Sequence, residues 1–111
     1  ATLLERGVAF TAIFAQIDLV AVGVLRGLRA AGLRVPQDVS LVGFDNIPSA
    51  EHLDPPLTTI DHTVQEIGRL AVLFLQDRMV GRYTGPARHV IIQPRLVLRA
   101  SSGPTPEVGE V

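Results

Sequence analysis

Few side chains in this sequence have a type and spacing that could do chemistry. Three histidines, His52, His62 and His89, raise the question of a metal site. No two of them sit four apart on one helix and the chain has no cysteine, so the ligand spacing of a metal site is absent. Ser40, Ser49, Ser101 and Ser102 lack the strand-to-helix elbow that exposes a nucleophile. Gly23 and Gly27 fall inside a helical pattern rather than between a strand and a helix, so no phosphate-cradling loop is present. Asp45 and Asp54 are the right types for an acid–base pair, but nothing in the spacing brings them together. A catalytic reading has no positive support, and no cofactor is implied.

One carboxylate still stands out by position. Asp45 ends the run Ser40-Leu41-Val42-Gly43-Phe44-Asp45. Leu41 to Phe44 carry no charge, and Pro36 and Pro48 bracket the run. A stretch this short and apolar reads as a strand buried on both faces, and because a helix precedes it the sheet is expected to be parallel. In open parallel sheets ligands bind beyond the carboxyl ends of the strands. Asp45, with Asn46 beside it, either faces such a ligand or caps its own loop through a side-chain-to-backbone turn.

The composition limits the partners. The chain has 111 residues, 47% of them hydrophobic, and a net charge of −1. That is enough for one small domain, and it gives no electrostatic case for binding nucleic acid or an acidic membrane. No apolar run approaches the roughly 20 residues of a membrane span. No signal peptide is visible, and the lack of cysteine is compatible with the cytosol.

The elements that must position Asp45 follow in chain order. Residues 1–6 read as the tail of a longer helix or as a frayed terminus, with Gly7 at a C′ position. Ala12-Ile13-Phe14-Ala15 reads as a buried strand. Asp18 is expected to cap the next helix, 19–31, and stands second at the sheet's carboxyl edge. Gly32 at C′ and Leu33 reaching back to Leu28 make a Schellman ending. At 100° per residue Val20, Val24, Gly27, Leu28 and Ala31 share one side of this helix. Leu19, Val22 and Leu25 lie opposite, with Arg26 and Arg29. A surface helix should be polar there, so this stripe calls for a second partner: another layer, a missing part of the chain or another subunit.

Residues 46–56 form a long loop, and 57–60 a short strand-like piece. Thr63 and Glu66 have the capping-box spacing for a helix running to about Val80, with Gly81 beyond it. Its stripe is Val64, Ile67, Leu70, Ala71, Phe74 and Leu75. Residues 88–93 and 95–99 read as two β runs split by Pro94. From Ser101 the composition is that of a disordered tail; the folded unit is drawn as 1–103 and the tail as 104–111.

Three segments carry a family resemblance. Phe14-Ala15-Gln16-Ile17-Asp18, with Ala21 and Gly23, is similar to the "F-A-x-N-D-x-x-A-x-G" segment of LacI-family transcriptional regulators. Gly32-Leu33-Arg34-Val35-Pro36-Gln37-Asp38-Val39-Ser40-Leu41-Val42-Gly43-Phe44-Asp45-Asn46 resembles that family's "G-x-x-V-P-x-D-[VI]-S-[VI]-[VI]-G-[FY]-D-[DN]". Pro55-Pro56-Leu57-Thr58-Thr59-Ile60 resembles "P-x-L-T-T-[IV]".

The resemblance implies an α/β fold: a Rossmann-like parallel sheet flanked by helices, the C-terminal part of a type I periplasmic-binding-protein-like core. It implies the sensor core of a DNA-binding regulator, and hence a cytoplasmic protein. Its partners would be a small carbohydrate-like effector, a second copy of the chain, and operator DNA through a headpiece that lies outside this sequence. A periplasmic solute-binding protein of a transporter shares the fold and is the alternative. The resemblance places Asp45, Asn46, Ile17, His62 and Val64 at the effector. Ile17 replaces the family's usual Asn, and His62 stands where a Gln is common. It places Leu19, Val22, Leu25, Arg26, Arg29 and Leu53 at the dimer interface.

Overall fold

The structure is a computed structural model describing residues 2–107. Residues 108–111, the end of the expected tail, lie outside the described residues. In chain order the elements are α1 (Thr2–Glu5), β1 (Ala12–Phe14), α2 (Asp18–Ala30), β2 (Ser40–Val42), a 3₁₀ turn (Pro48–His52), β3 (Thr59–Asp61), α3 (Val64–Met79) and β4 (Arg95–Val97).

β1 and β2 pair in parallel, Ile13 beside Leu41, as the apolar run and the helical crossover predict. On the other side of β2, Val42 bridges in parallel to Thr58. Leu41 is therefore flanked by backbone on both edges and is fully buried. The core around it contains Ala15, Ala21, Leu25, Ala50 and Leu57. β3 forms a second, antiparallel pair with β4, Asp61 opposite Arg95. From there α3 runs on without burying any residue. The radius of gyration is 19.4 Å, against about 13 Å for a compact domain of this size.

The end of α2 follows its sequence signature. Gly32 has φ +75°, which suits a residue without Cβ. Leu33 N–H donates to the Leu28 carbonyl at 2.9 Å and Gly32 N–H to that of Arg29 at 3.0 Å, closing a Schellman motif. The turn into β2 is held by Arg34, whose guanidinium donates to both oxygens of Asp38. Those bonds first, then the Arg34 amide, hold the Asp38 carboxyl well down from its ordinary value, at about 2. The link therefore survives until the pH falls to about 2.

The structure corrects several sequence expectations. The core face of α2 is Asp18, Ala21, Leu25 and Leu28. Leu25, expected on the outer stripe, is 5% exposed and packs in the core. β1 is an open edge rather than a buried strand, and Phe14 is 61% exposed. Residues 46–56 hold a 3₁₀ turn whose Ala50 is fully buried, so this is not an irregular loop. Thr63 takes a left-handed backbone and its side chain caps nothing. Glu66 bonds forward to Arg69 instead of back to the helix start, so the capping box does not form. Residues 88–93 form no strand, because no ladder partner lies beside them among the described residues. Ser101 is not tail: it is buried, donates to the Leu41 carbonyl and accepts from Thr58 N–H at 2.8 Å. The central strand and its neighbour at Thr58 thereby gain a polar link to the chain after β4.

Candidate functional site

The carboxyl end of β2 continues through Gly43 and Phe44 into two residues of positive φ, Asp45 at +122° and Asn46 at +56°. Such conformations are uncommon outside glycine and persist where the surroundings over-determine them. The surroundings do so here. Asp45 N–H donates to the Ile60 carbonyl at 2.9 Å, which ties the turn to β3. Asn46 N–H donates to Thr59 Oγ1 at 3.3 Å, and Ile47 N–H to Asp18 Oδ2 at 2.9 Å.

The Asp45 side chain is half-buried. His62 Nε2–H donates to Asp45 Oδ1 at 2.8 Å, and the imidazole lies stacked on Phe44 with ring centroids 5.0 Å apart. Among the described residues nothing bonds to Oδ2, so Asp45 presents one free acceptor edge. An open cleft of about 940 Å³ lies over it, lined by Asp45, Asn46, His62, Val64, Glu66 and Arg69 among others. Its acidic and basic side chains are largely spent on each other: Glu66 pairs with Arg69 at 2.6 Å, and Asp61 meets Arg95 at 3.5 Å. Asp61 also accepts from Thr63 N–H at 2.8 Å and from Asn46 Nδ2 at 3.2 Å. Those two donors, the Thr63 amide first, keep the Asp61 carboxyl below its ordinary range.

Asp45, Asn46, His62 and Val64, named from the sequence, thus meet at one cleft. The direct Asp45–His62 bond joins two of them. Asn46 lines the cleft with its carboxamide committed at both ends: Nδ2 to Asp61, and Oδ1 to Arg99 Nη2 at 2.8 Å. Ile17 precedes the first turn of α2 and does not line the cleft. On the outer side of α2, Leu19 is 70% exposed, Arg26 is exposed and Val22 half-buried. Arg29 is exposed and reaches Asp54 at 3.5 Å, and Leu53 packs against the core from the 3₁₀ turn.

Sequence reasoning missed four residues that build the site: Asp18, Thr59, Asp61 and Arg99. Asp18 is fully buried and caps no helix end; the residue before α2 is Ile17, with no side-chain cap bond. Its carboxylate instead accepts from Ile47 N–H and from Thr59 Oγ1–H at 2.6 Å. The only sequence signal for this was an acidic residue at the sheet's carboxyl edge, and helix capping was the better explanation of that signal.

The cleft offers a half-buried carboxylate edge beside the imidazole of His62. A carboxylate accepts hydrogen bonds from hydroxyl or amine donors, and an aromatic wall suits the apolar face of a sugar or a heterocycle.

Comparison with known proteins adds the following. Residues 3–102 match the periplasmic binding protein-like domain family. Over 99 residues the chain is 40% identical to the HTH-type transcriptional regulator CelR of Thermobifida fusca, spanning 89% of this chain and 29% of CelR. The structure resembles a LacI-type transcription regulator from Bifidobacterium animalis subsp. lactis DSM 10140, with a TM-score of 0.87 and 40% identity over 92% of this chain and 36% of that one. It also resembles the complex of the transcriptional regulator CelR with cellobiose, with a TM-score of 0.84 and 40% identity over 90% and 30% of the two chains. The chain spans less than a third of the length of the curated relative, CelR.

Proposed function

The chain belongs to the periplasmic binding protein-like domain family, is homologous to LacI-type regulators, and on that premise we propose that it is part of the sensor core of a transcriptional regulator. It binds a small hydroxyl-bearing effector, a carbohydrate, at the carboxyl end of β2. The observation that carries this reading is the free edge of Asp45, held in a strained turn over an open cleft. Cellobiose in the CelR complex supports the choice of carbohydrate. That its relatives are transcriptional regulators favours this role over transport and over catalysis. Operator DNA is met through another part of the protein, and the site of action is the cytoplasm, where the DNA is. Among the described residues no helix is long and apolar enough to cross a membrane. Effector binding rearranges the protein and so changes DNA affinity, as linkage between two sites requires.

Calorimetric titration of the intact protein with cellobiose, lactose and ribose tests the reading. Saturable binding of at least one sugar, with a matching change in DNA affinity, is expected. Binding of none of the three would end the carbohydrate assignment.

The protein works as a homodimer through the outer side of α2, with Leu19 and Val22 at its centre, Arg26 and Arg29 at its rim, and Leu53 alongside. Leu25 belongs to the core and has no part in it. Leu19→Glu with Val22→Glu buries two unpaired charges at such an interface, which is costly. Sedimentation velocity of the intact double variant should show monomer. An undiminished dimer would move the interface elsewhere.

A further inference from the structure

We infer that Asp18 is a positioning residue of the effector cleft: from beneath the sheet edge it fixes the turn that aims Asp45. This inference rests on the effector reading of Asp45.

Four bonds bracket Asp45 from both sides. Asp18 N–H donates to the Phe44 carbonyl at 2.9 Å, one residue before Asp45. Asp18 Oδ2 accepts from Ile47 N–H at 2.9 Å, two residues after it. Asp18 Oδ1 accepts from Thr59 Oγ1–H at 2.6 Å, and Thr59 Oγ1 accepts from Asn46 N–H at 3.3 Å, one residue after it. The direction of this relay is forced. Asn46 N–H can only donate, so Thr59 Oγ1 turns a lone pair toward it and gives its single proton to Asp18. Residues 46 and 47 are thus referred to the Asp18 side chain, and residue 44 to its backbone amide.

That side chain has no freedom of its own. Asp18 is 0% exposed and sits in the first turn of α2, where the helix's positive end favours its charge. Gly43 covers it so closely that a Cβ there would collide with Oδ1. Asp18 never reaches the cleft and is absent from its lining, so it touches no ligand. Any influence on binding must pass through the turn.

A buried carboxylate that merely held the fold together would alter stability alone, and a double-mutant cycle on effector affinity separates the two roles. The intact protein is titrated with cellobiose, or with whichever of cellobiose, lactose and ribose binds best. The variants are Asp18→Asn, Thr59→Val, Asp45→Asn and each of the first two combined with Asp45→Asn. Thr59→Val removes the relay while keeping the Asp18 carboxylate and its bond from Ile47 N–H, and serves if Asp18→Asn does not fold. Thr59→Val is expected to weaken binding about tenfold, the equivalent of one charged hydrogen bond. Thr59→Ser, which restores the hydroxyl, should recover it. In the Asp45→Asn background the same change should cost almost nothing further in affinity, while its melting-temperature loss persists. Equal, additive losses in both backgrounds, or a lowered melting temperature with unchanged Kd, overturn the positioning role. If Asp45→Asn alone leaves Kd unchanged, the effector reading has failed, and this inference fails with it.

Discussion

Replacing Gly43 with alanine is expected to lower the unfolding free energy of the intact protein by roughly 2.5–6 kcal/mol. Gly43 is not needed for its backbone: unlike Gly7, Gly32 and Gly81, it has no positive φ. It is needed for its missing side chain. An added Cβ would overlap Asp18 Oδ1 and come within 3.1 Å of Leu57 Cδ2. Leu57 is fully buried and has little room to retreat. Asp18 could retreat only by releasing Thr59 Oγ1 or Ile47 N–H, which would leave a buried charge short of donors. Overpacking costs about 1–3 kcal/mol, and a lost charged hydrogen bond about 1.5–3 more. Urea unfolding of wild type and Gly43→Ala measures the sum. A loss below about 1 kcal/mol would mean that the floor of the cleft yields more easily than close packing allows.

Asp45→Asn should weaken effector binding roughly ten- to a hundredfold, because charge-assisted hydrogen bonds contribute about 1.5–3 kcal/mol. The substitution keeps the volume, and asparagine tolerates the left-handed backbone that Asp45 occupies. It removes the charge, and one of the two oxygens becomes a donor. The carboxamide then has a single, uncharged accepting oxygen, which His62 Nε2–H and the effector must share. Folding should suffer little, since the side chain is only half-buried and the turn is held by backbone bonds to Ile60, Thr59 and Asp18. DNA affinity without effector should stay near wild type. Titration calorimetry beside thermal melts reads both quantities. Equal Kd for the two proteins would return Asp45 to loop capping.

Local signals in the sequence were read well where the physics was local. The ending of α2 depended on Gly32 and Leu33, within one turn of the helix, and it formed as the pattern implied. The central strand depended on a short apolar run before a carboxylate, and it lies in parallel pairing as expected. Asp18 was misread because its partners Thr59 and Ile47 are 41 and 29 positions away. A capping rule looks only three residues ahead. Thr63 met every local condition for a capping box, but Asp61 captured its backbone amide and the chain turned left-handed there. Leu25 was placed on the wrong face because a stripe of apolar residues shows that a face is apolar without showing which partner claims it. The pairing of His62 with Asp45 needed the end of β2 to lie beside β3, through Gly43 N–H to Thr58 and Asp45 N–H to Ile60, which no single segment encodes.

α3 has a mechanical consequence. It is 16 residues long and buries none of them. Its base, Thr63, is fastened to Asp61 one residue beyond His62. A rigid α-helix of this length reaches about 24 Å, so a rotation of about 10° at Thr63 would carry Met79 through about 4 Å. Turned about that point, the helix would act as a lever with its fulcrum beside Asp45. A shift too small to disturb the sheet, applied where a ligand would sit, becomes a displacement at the far end large enough for another protein surface to register.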